Sequence, residues 1–491
     1  MRGWFFVKDE KQGLTTWELV MVALGTVVGG SFFLGSAVAI KAAGPAVIIS
    51  FLIGGILVYF ILTALSELTV ADPAPGSFRV HTEKNVGPWL GFVVGWVYWT
   101  GLVFGMSSEA TAVSILLRAL WMPQVSLGII AALIVAAVTI LNLFGSQLFS
   151  RLETSLASIK LLALVGFVIV SLFLITGLYP GKAAVGLDVL QRENFMPAGL
   201  AGIAGSMLIV MFSYAGFEVV GFAAPESRNP QKTVPRAIIL TVVCLIALYL
   251  TVILAFLPLI PTDRITPDMS PLVMALSAQN LSFAASLFNI IMITAILSTM
   301  LAATFSLGRM IYSLALEGHA PSWFKEKAPG DVPKRGIIFF GIAMLLGVSL
   351  SYVLPKQIYL FLVSSGGYSL LFSYIVIMIT HYRFRRIYGC PPSGRCQLPG
   401  FPYTSIGTII MLTAIIISMP LIPGQGSGLW AGLALTFFYS LVYPLVKRIP
   451  EDKKAESKKA PIFSALDFSR KVLGFEAGEG WRRFKKDKNK R

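Results

Sequence analysis

The sequence predicts an all-α integral membrane protein with twelve transmembrane helices, and three observations point there. Of 491 residues, 56% are apolar and only 13% charged. The mean hydropathy is +0.77, where a soluble domain would sit near or below zero. Apolar runs of about 20 residues, the length that crosses a bilayer as a helix, recur along the chain with short loops between them. Together these exclude a soluble enzyme. The 40 Lys and Arg against 24 Asp and Glu give a formal charge of +16. In a membrane protein such a surplus reports loop topology rather than a nucleic-acid partner.

Apolar runs bounded by Pro, Gly and charge clusters place the spans at 17–42, 45–69, 88–118, 127–146, 152–178, 199–224, 236–260, 282–316, 336–354, 357–382, 403–422 and 425–446. No small-residue cleavage site follows the first run and the second begins at once, so the first reads as a retained span rather than a signal peptide. The organisation is then an N-terminal segment 1–16, a core 17–400, two further spans in 401–446 and a basic tail 447–491.

Lys and Arg gather in cytoplasmic loops. Seventeen lie on the N-terminal side before the tail, including Arg2, Arg79, Arg151, Lys232 and Arg383, against six on the other side. Both termini are therefore expected in the cytoplasm of a cell-membrane protein. The tail adds fifteen basic against seven acidic residues. Its segment 462–475 reads as a short interfacial helix, and the basic run from Arg482 is suited to anionic lipid; a disordered solubilising tail is the other reading. Cys244, Cys390 and Cys396 are too few and scattered for a disulfide framework or a complete zinc site. They read as reduced thiols, and no metal or other cofactor is expected.

Backbone groups cannot go unpaired in hydrocarbon, so a Gly cluster that interrupts a spanning helix is tolerated only where protein, water or a substrate satisfies the freed N–H and C=O groups. The first span carries Gly25-Thr26-Val27-Val28-Gly29-Gly30-Ser31 and the sixth Phe212-Ser213-Tyr214-Ala215-Gly216-Phe217-Glu218. A pair of broken spans in corresponding halves points to a midplane site in an inverted-repeat transporter. The N-terminus of an outer half-helix suits a carboxylate, and the carbonyls of the facing half suit an ammonium group. Such a site would hold a zwitterion through Thr26, Val28, Gly29, Gly30, Ser31, Ser213, Tyr214 and Ala215, with Phe217 as a side-chain contact or gate. The alternative is that these glycines only allow close helix packing, as Gly91 and Gly95 are read to do.

The same residues carry a resemblance. Val22–Gly35, Ala43-Gly44-Pro45-Ala46-Val47, Ala64-Leu65-Ser66-Glu67-Leu68 and Gly95-Trp96-Val97-Tyr98-Trp99 resemble the start of bacterial amino acid permeases of the amino acid–polyamine–organocation superfamily, nearest to its proton-driven amino acid transporter branch. Phe212–Gly221 with Pro225-Glu226-Ser227-Arg228-Asn229-Pro230, and Ser306-Leu307-Gly308-Arg309 with Gly318-His319-Ala320-Pro321, are similar to the sixth span and the end of the eighth. The likeness covers about residues 15–385. It implies two inverted five-helix repeats of the LeuT type, with helices one and six broken, plus two C-terminal helices. Substrate would lie between spans one, three, six, eight and ten. The branch usually carries a Gly-Thr-Gly core in the first break, where this chain has Gly29-Gly30-Ser31.

A charge at membrane depth costs roughly 2.5–3.5 kcal/mol or more, so each one is a functional candidate. Lys160 lies about eight residues, or roughly 12 Å, into the fifth span. It is placed to exchange a proton during transport, its ammonium taking the place of a coupling sodium ion, as the resemblance also implies; snorkelling to the cytoplasm is the structural alternative. Glu109 and Glu218 would either carry a proton or bond to exposed backbone N–H groups. Glu67 is expected to pair with a loop Arg, and Glu226 with Arg228 to form an inner gate. Ser298 and Thr299 either supply hydroxyls where relatives hold sodium, as the resemblance implies, or serve only as helix-packing residues.

No Gly-x-x-x-x-Gly-Lys-Ser/Thr loop is present, so transport must draw on a gradient rather than ATP. His81, His319 and His381 fall at span ends or in loops, which argues against an intramembrane enzyme. The expected activity is secondary active import of amino acids by proton symport with alternating access. Sodium coupling, amino acid exchange and a non-transporting sensor are the alternatives. Oligomeric state is not legible.

Overall fold

The computed structural model describes residues 15–447 except 73–76, 145, 219, 222–226, 228, 267–268, 327–331, 353–357 and 392–395. Glu226, Arg228 and the 447–491 tail beyond its first residue lie outside the described residues, as does the 1–14 segment. The described residues are helical and contain no strand. In chain order the helices are α1 Thr16–Val27, α2 Gly30–Phe33, α3 Gly35–Ala43, α4 Val47–Ala71, α5 Ser77–Asn85, α6 Pro88–Leu120, α7 Leu127–Leu143, α8 Ser146–Thr176 and α9 Asp188–Arg192. They continue with α10 Gly199–Ser213, α11 Pro230–Phe256, α12 Pro271–Ala278, α13 Ser282–Leu316, α14 Lys334–Ser349, α15 Ile358–Tyr388, α16 Tyr403–Ser418 and α17 Gly426–Lys447.

Eight helical segments among the described residues are long and apolar enough to cross a membrane, and α1, α7 and α10 are shorter apolar helices. Every apolar interval read from the sequence holds helix. Several helices present large apolar side chains outward, among them Leu133, Leu162, Ile410 and Phe437. Lipid is the solvent that suits such a surface, because a helix satisfies its own backbone and leaves only apolar atoms facing out.

Boundaries differ from the sequence expectation where end chemistry overrides hydropathy. The seventh span is expected from 236, yet α11 begins at Pro230, because Pro at the first helical position forfeits an N–H that has no partner there anyway. The tenth is expected to stop at 382, yet α15 runs to Tyr388 with Arg385 and Arg386 in its last turn, where cations complement the helix dipole. Cys390 and Cys396, expected as free thiols, are joined in a disulfide with Cα atoms 5.2 Å apart. The chain turns back after α15 and brings two cysteines six positions apart within bridging reach.

Helix α5 is an element that hydropathy does not announce. It is polar and short, and it buries Arg79 completely. The Arg79 guanidinium donates to Glu83 at 3.2 Å and to Glu317 beyond the end of α13, and stands 3.4 Å from Nδ1 of His319. Trp96 of α6 donates to the His319 carbonyl at 3.0 Å. Glu83, Glu317 and His319 converge as three ligands of a metal site would, but the Arg79 guanidinium already bonds both carboxylates, so the cluster is an ion-pair network tying α5 to α6 and α13. Burial, and then the Glu317 carboxylate, push Glu83 above the usual carboxylate range against the pull of Arg79.

Glu67, near the end of α4, is buried and takes more partners than a loop Arg. His381 Nε2 lies 2.8 Å away, the N–H groups of Gln397 and Leu398 donate at 2.5 and 2.8 Å, and Arg385 stands at 3.6 Å. That carboxylate fastens α4 to α15 and to the segment that follows the disulfide.

Candidate functional site

Helix α1 starts with a capping box. The Glu18 N–H donates to Thr15 Oγ1 at 3.3 Å while the Thr15 N–H donates to the Glu18 carboxylate at 2.9 Å, which satisfies two otherwise orphan donors. The helix stops at Val27. Val28 and Gly29 are extended, and a new helix, α2, starts at Gly30. The glycines are required here by close approach rather than by backbone conformation. A Cβ on Gly29 would meet the Thr299 side chain at 2.9 Å, and one on Gly30 would collide with the Glu109 carboxylate.

Glu109 of α6 reaches the break directly. Gly30 N–H donates to its Oε2 at 2.7 Å and Ser31 N–H to its Oε1 at 3.0 Å. The first N–H groups of a helix attract an anion through their unpaired donors. The sequence reading sends a substrate carboxylate to this point, whereas the structure answers it from within the chain. Glu109 is 3% exposed, so its charge is held by these two donors rather than by water.

The second break lies across from the first. Helix α10 ends at Ser213, residues 214–218 form turns, and helical backbone resumes at 220. Gly216 has φ +106°, a conformation that side chains disfavour, and a Cβ there would stand 2.9 Å from the Thr26 carbonyl oxygen. The Thr26 hydroxyl is 3.1 Å from the Gly216 carbonyl and shares its proton with the Ala23 carbonyl 2.9 Å away. The Ser213 hydroxyl is 2.9 Å from the Ser31 carbonyl. Glu218 folds back under its own turn, accepting from Gly216 N–H at 3.1 Å, Tyr98 hydroxyl at 2.9 Å and Tyr374 hydroxyl at 3.3 Å. It organises the break.

Lys160 is wholly buried. Its ammonium donates to the Gly25 carbonyl at the end of α1, and lies 3.2 Å from Ser298 Oγ and 3.5 Å from Thr299 Oγ1 on α13. These acceptors take up its N–H donors inside the protein. Snorkelling to the cytoplasm is thereby overturned, since the head group ends inside the protein. Thr299 Oγ1 is also 3.4 Å from the Val28 carbonyl, so α8 and α13 are both fastened to the unwound segment.

Between the breaks lies a cavity. Thr26, Ser31, Ala215, Glu109 and Glu218 line it together with Gly216, Thr299 and an apolar wall drawn from α6, α10 and α13. Val28, Gly29, Gly30 and Ser213, also expected at the substrate, are not among the residues that line it. Two residues expected to face the substrate are placed elsewhere. The Tyr214 hydroxyl donates to the Phe51 carbonyl at 3.0 Å and its ring packs beside Phe51 and Tyr249. Phe217 is fully buried and stacks on Tyr374 with centroids 5.1 Å apart. Both rings complete an aromatic core, which holds them away from the cavity. The reading from sequence misses Tyr98, Tyr374, Ala303, Ser306 and Met310. The only available signal was the four-residue spacing of Thr299, Ala303 and Leu307 along one helix face.

The model of the amino acid permease family matches residues 18–449. The chain belongs to that family.

Individual relatives agree. An uncharacterised amino acid permease of Bacillus subtilis is 30% identical over 418 residues, covering 84% of this permease and 90% of the relative. The γ-aminobutyric acid permease of the same organism is 29% identical over 448 residues, 91% and 95% of the two chains. An aromatic amino acid transport protein of Salmonella typhimurium is 29% identical over 422 residues, 86% and 92%. These relatives are transporters rather than enzymes, and the permease is a multi-pass membrane protein of all-α fold.

Proposed function

We propose that this permease imports amino acids across the cell membrane by proton symport, holding the α-carboxylate and α-amino groups at the two helix breaks. The observation that carries the reading is the junction of the breaks through Thr26 and Gly216, with the Lys160 ammonium bonded to the α1 carbonyl of Gly25 and beside the α13 hydroxyls. A single cation thus couples the moving segment α1 to a neighbouring helix at the place where a sodium ion would otherwise sit. Loss of its proton would remove the charge and one of the three N–H donors, weakening the hold on the Gly25 carbonyl and loosening α1.

Substrate binding exchanges one carboxylate for another. The amino acid's carboxylate takes the Gly30 and Ser31 N–H groups, and the Glu109 side chain withdraws. The carbonyls at the end of α1 and beside Gly216 receive the substrate ammonium. Val28, Gly29 and Ser213 shape this main-chain cradle, and Glu218 keeps the sixth-span turn in the form that presents it. The twelve apolar intervals supply twelve crossings built as two inverted five-helix repeats and two further helices, with both termini cytoplasmic and Glu226 and Arg228 at the inner gate. Alternating access follows from rocking of α1 and α10 with their continuations against the remaining helices.

Uptake by the purified protein in liposomes tests this. A labelled amino acid should accumulate when a proton gradient is imposed without sodium, and should equilibrate only when that gradient is collapsed. Accumulation that requires sodium and ignores the proton gradient would overturn the coupling assignment. Saturable binding with no flux would make the protein a sensor instead.

A further inference from the structure

Beyond Thr299 and Ser31 at the break, most of the cavity wall is apolar, with Leu102 and Met106 of α6, Phe212 of α10, and Ala303, Leu307 and Met310 of α13; Tyr98 and Ser306 are the neutral polar side chains among them. The charged residues lining the cavity, among those described, are Glu109 and Glu218, and no cation joins them. Neither carboxylate is free to answer a charged substrate side chain. Both Glu109 oxygens already receive an N–H, and Glu218 holds three donors of its own chain.

From this lining, and on the reading that the breaks hold an amino acid head group, we infer that the permease takes neutral α-amino acids with apolar side chains, and that Ala303 sets the length of side chain admitted. Ala303 lies one helical turn beyond Thr299, about 6 Å along α13, and so is the first side chain of that helix past the head group. Its methyl leaves space between the break and Leu307 that a larger residue would fill. An anionic or cationic side chain would have to enter this mostly apolar wall with no opposite charge free to pair with it, which is strongly unfavourable.

The test uses the full-length protein in liposomes, with leucine, phenylalanine, alanine, lysine, glutamate and γ-aminobutyrate each offered as the labelled species and as competitors. Leucine and phenylalanine should be taken up and should compete at concentrations at least roughly tenfold lower than lysine, glutamate or γ-aminobutyrate, a difference of about 1.4 kcal/mol. Ala303→Leu and Ala303→Phe, checked for monodispersity, should lower the ratio of phenylalanine to alanine affinity by roughly tenfold or more, Phe more than Leu. Lysine, glutamate or γ-aminobutyrate competing as well as the apolar amino acids would overturn the substrate class. A ratio unchanged in both variants would overturn the role of Ala303. If no amino acid is taken up or bound, the transport reading fails first and the specificity inference falls with it.

Discussion

Thr26 and Gly216 belong to different broken helices, and the hydroxyl of the first stands 3.1 Å from the carbonyl of the second. This contact makes one site of two interruptions 190 residues apart in sequence. It depends on Gly216, whose positive φ aims that carbonyl and whose missing side chain admits the Thr26 backbone.

Gly216→Ala should therefore be among the most damaging small substitutions in the chain. Left-handed strain costs of order 1–3 kcal/mol, and the new methyl would press on the Thr26 carbonyl. Thermal unfolding in detergent should show reduced stability, and substrate binding by the surviving folded fraction should weaken. An unaltered melting temperature with normal binding would show that the breaks do not meet as described.

Lys160→Ala should fold, because the cavity it leaves can be filled by water that bonds to Gly25, Ser298 and Thr299, yet it should lose uphill transport. Measured as accumulation ratio, uptake should stop at equilibrium with the external concentration while exchange of labelled for unlabelled substrate continues. Accumulation equal to the unmodified protein would remove Lys160 from the coupling mechanism.

Glu109→Gln removes the anion that competes with substrate for the Gly30 and Ser31 N–H groups. Apparent binding affinity should rise by up to roughly tenfold, the effect of about 1.4 kcal/mol, while the pH dependence of uptake flattens. Equilibrium binding on the purified variant measures the first effect. Weakened binding in a well-folded variant would mean that the carboxylate contacts the substrate rather than standing in for it.

Acid should destabilise the α5 region. Burial of His81 pushes its imidazole down to about 4 from an ordinary 6.5, with Lys84 adding to the fall and Asp72 opposing it. The folded state thus prefers the neutral ring, and below pH 6.5 the unfolded chain gains a proton that the folded chain refuses. Stability contributed at neutral pH is lost as pH falls from 6.5 to about 4, by an amount on the order of 3 kcal/mol. His81→Gln should flatten the fall in melting temperature between pH 7.5 and about 5. An identical slope in both proteins would contradict this.

Much of the fold was legible because a membrane allows few solutions. Apolar length located the helices, and glycines in the middle of two of the runs pointed to breaks with partners for their backbone, ahead of mere close packing. The position of Lys160 in the fifth span was likewise readable, since a cation so deep needs acceptors. What met it was less so, because Gly25, Ser298 and Thr299 come from two other helices. That Glu109 would bond exposed backbone N–H groups was one of its two readings from sequence; that the donors are Gly30 and Ser31 was not legible, because that distance closes only when α6 packs against α2. Tyr214 and Phe217 illustrate a third limit. They sit inside the second break, but the turn geometry around Gly216 sends Ala215 toward the cavity and their rings into the aromatic core. Helix α5, short and polar, has no hydropathic signal; its fully buried Arg79 is intelligible only once Glu83 and Glu317 are seen beside it.

The central claim is that main-chain groups at the two breaks grip the shared head of an amino acid, and binding of head-group derivatives tests it most directly. With leucine, leucine methyl ester and N-acetyl-leucine titrated onto the purified permease, the account predicts that only the free amino acid binds, each modification lowering affinity by roughly a hundredfold or more, about 2.7 kcal/mol. Ester and N-acetyl derivatives that bind as tightly as leucine would contradict it.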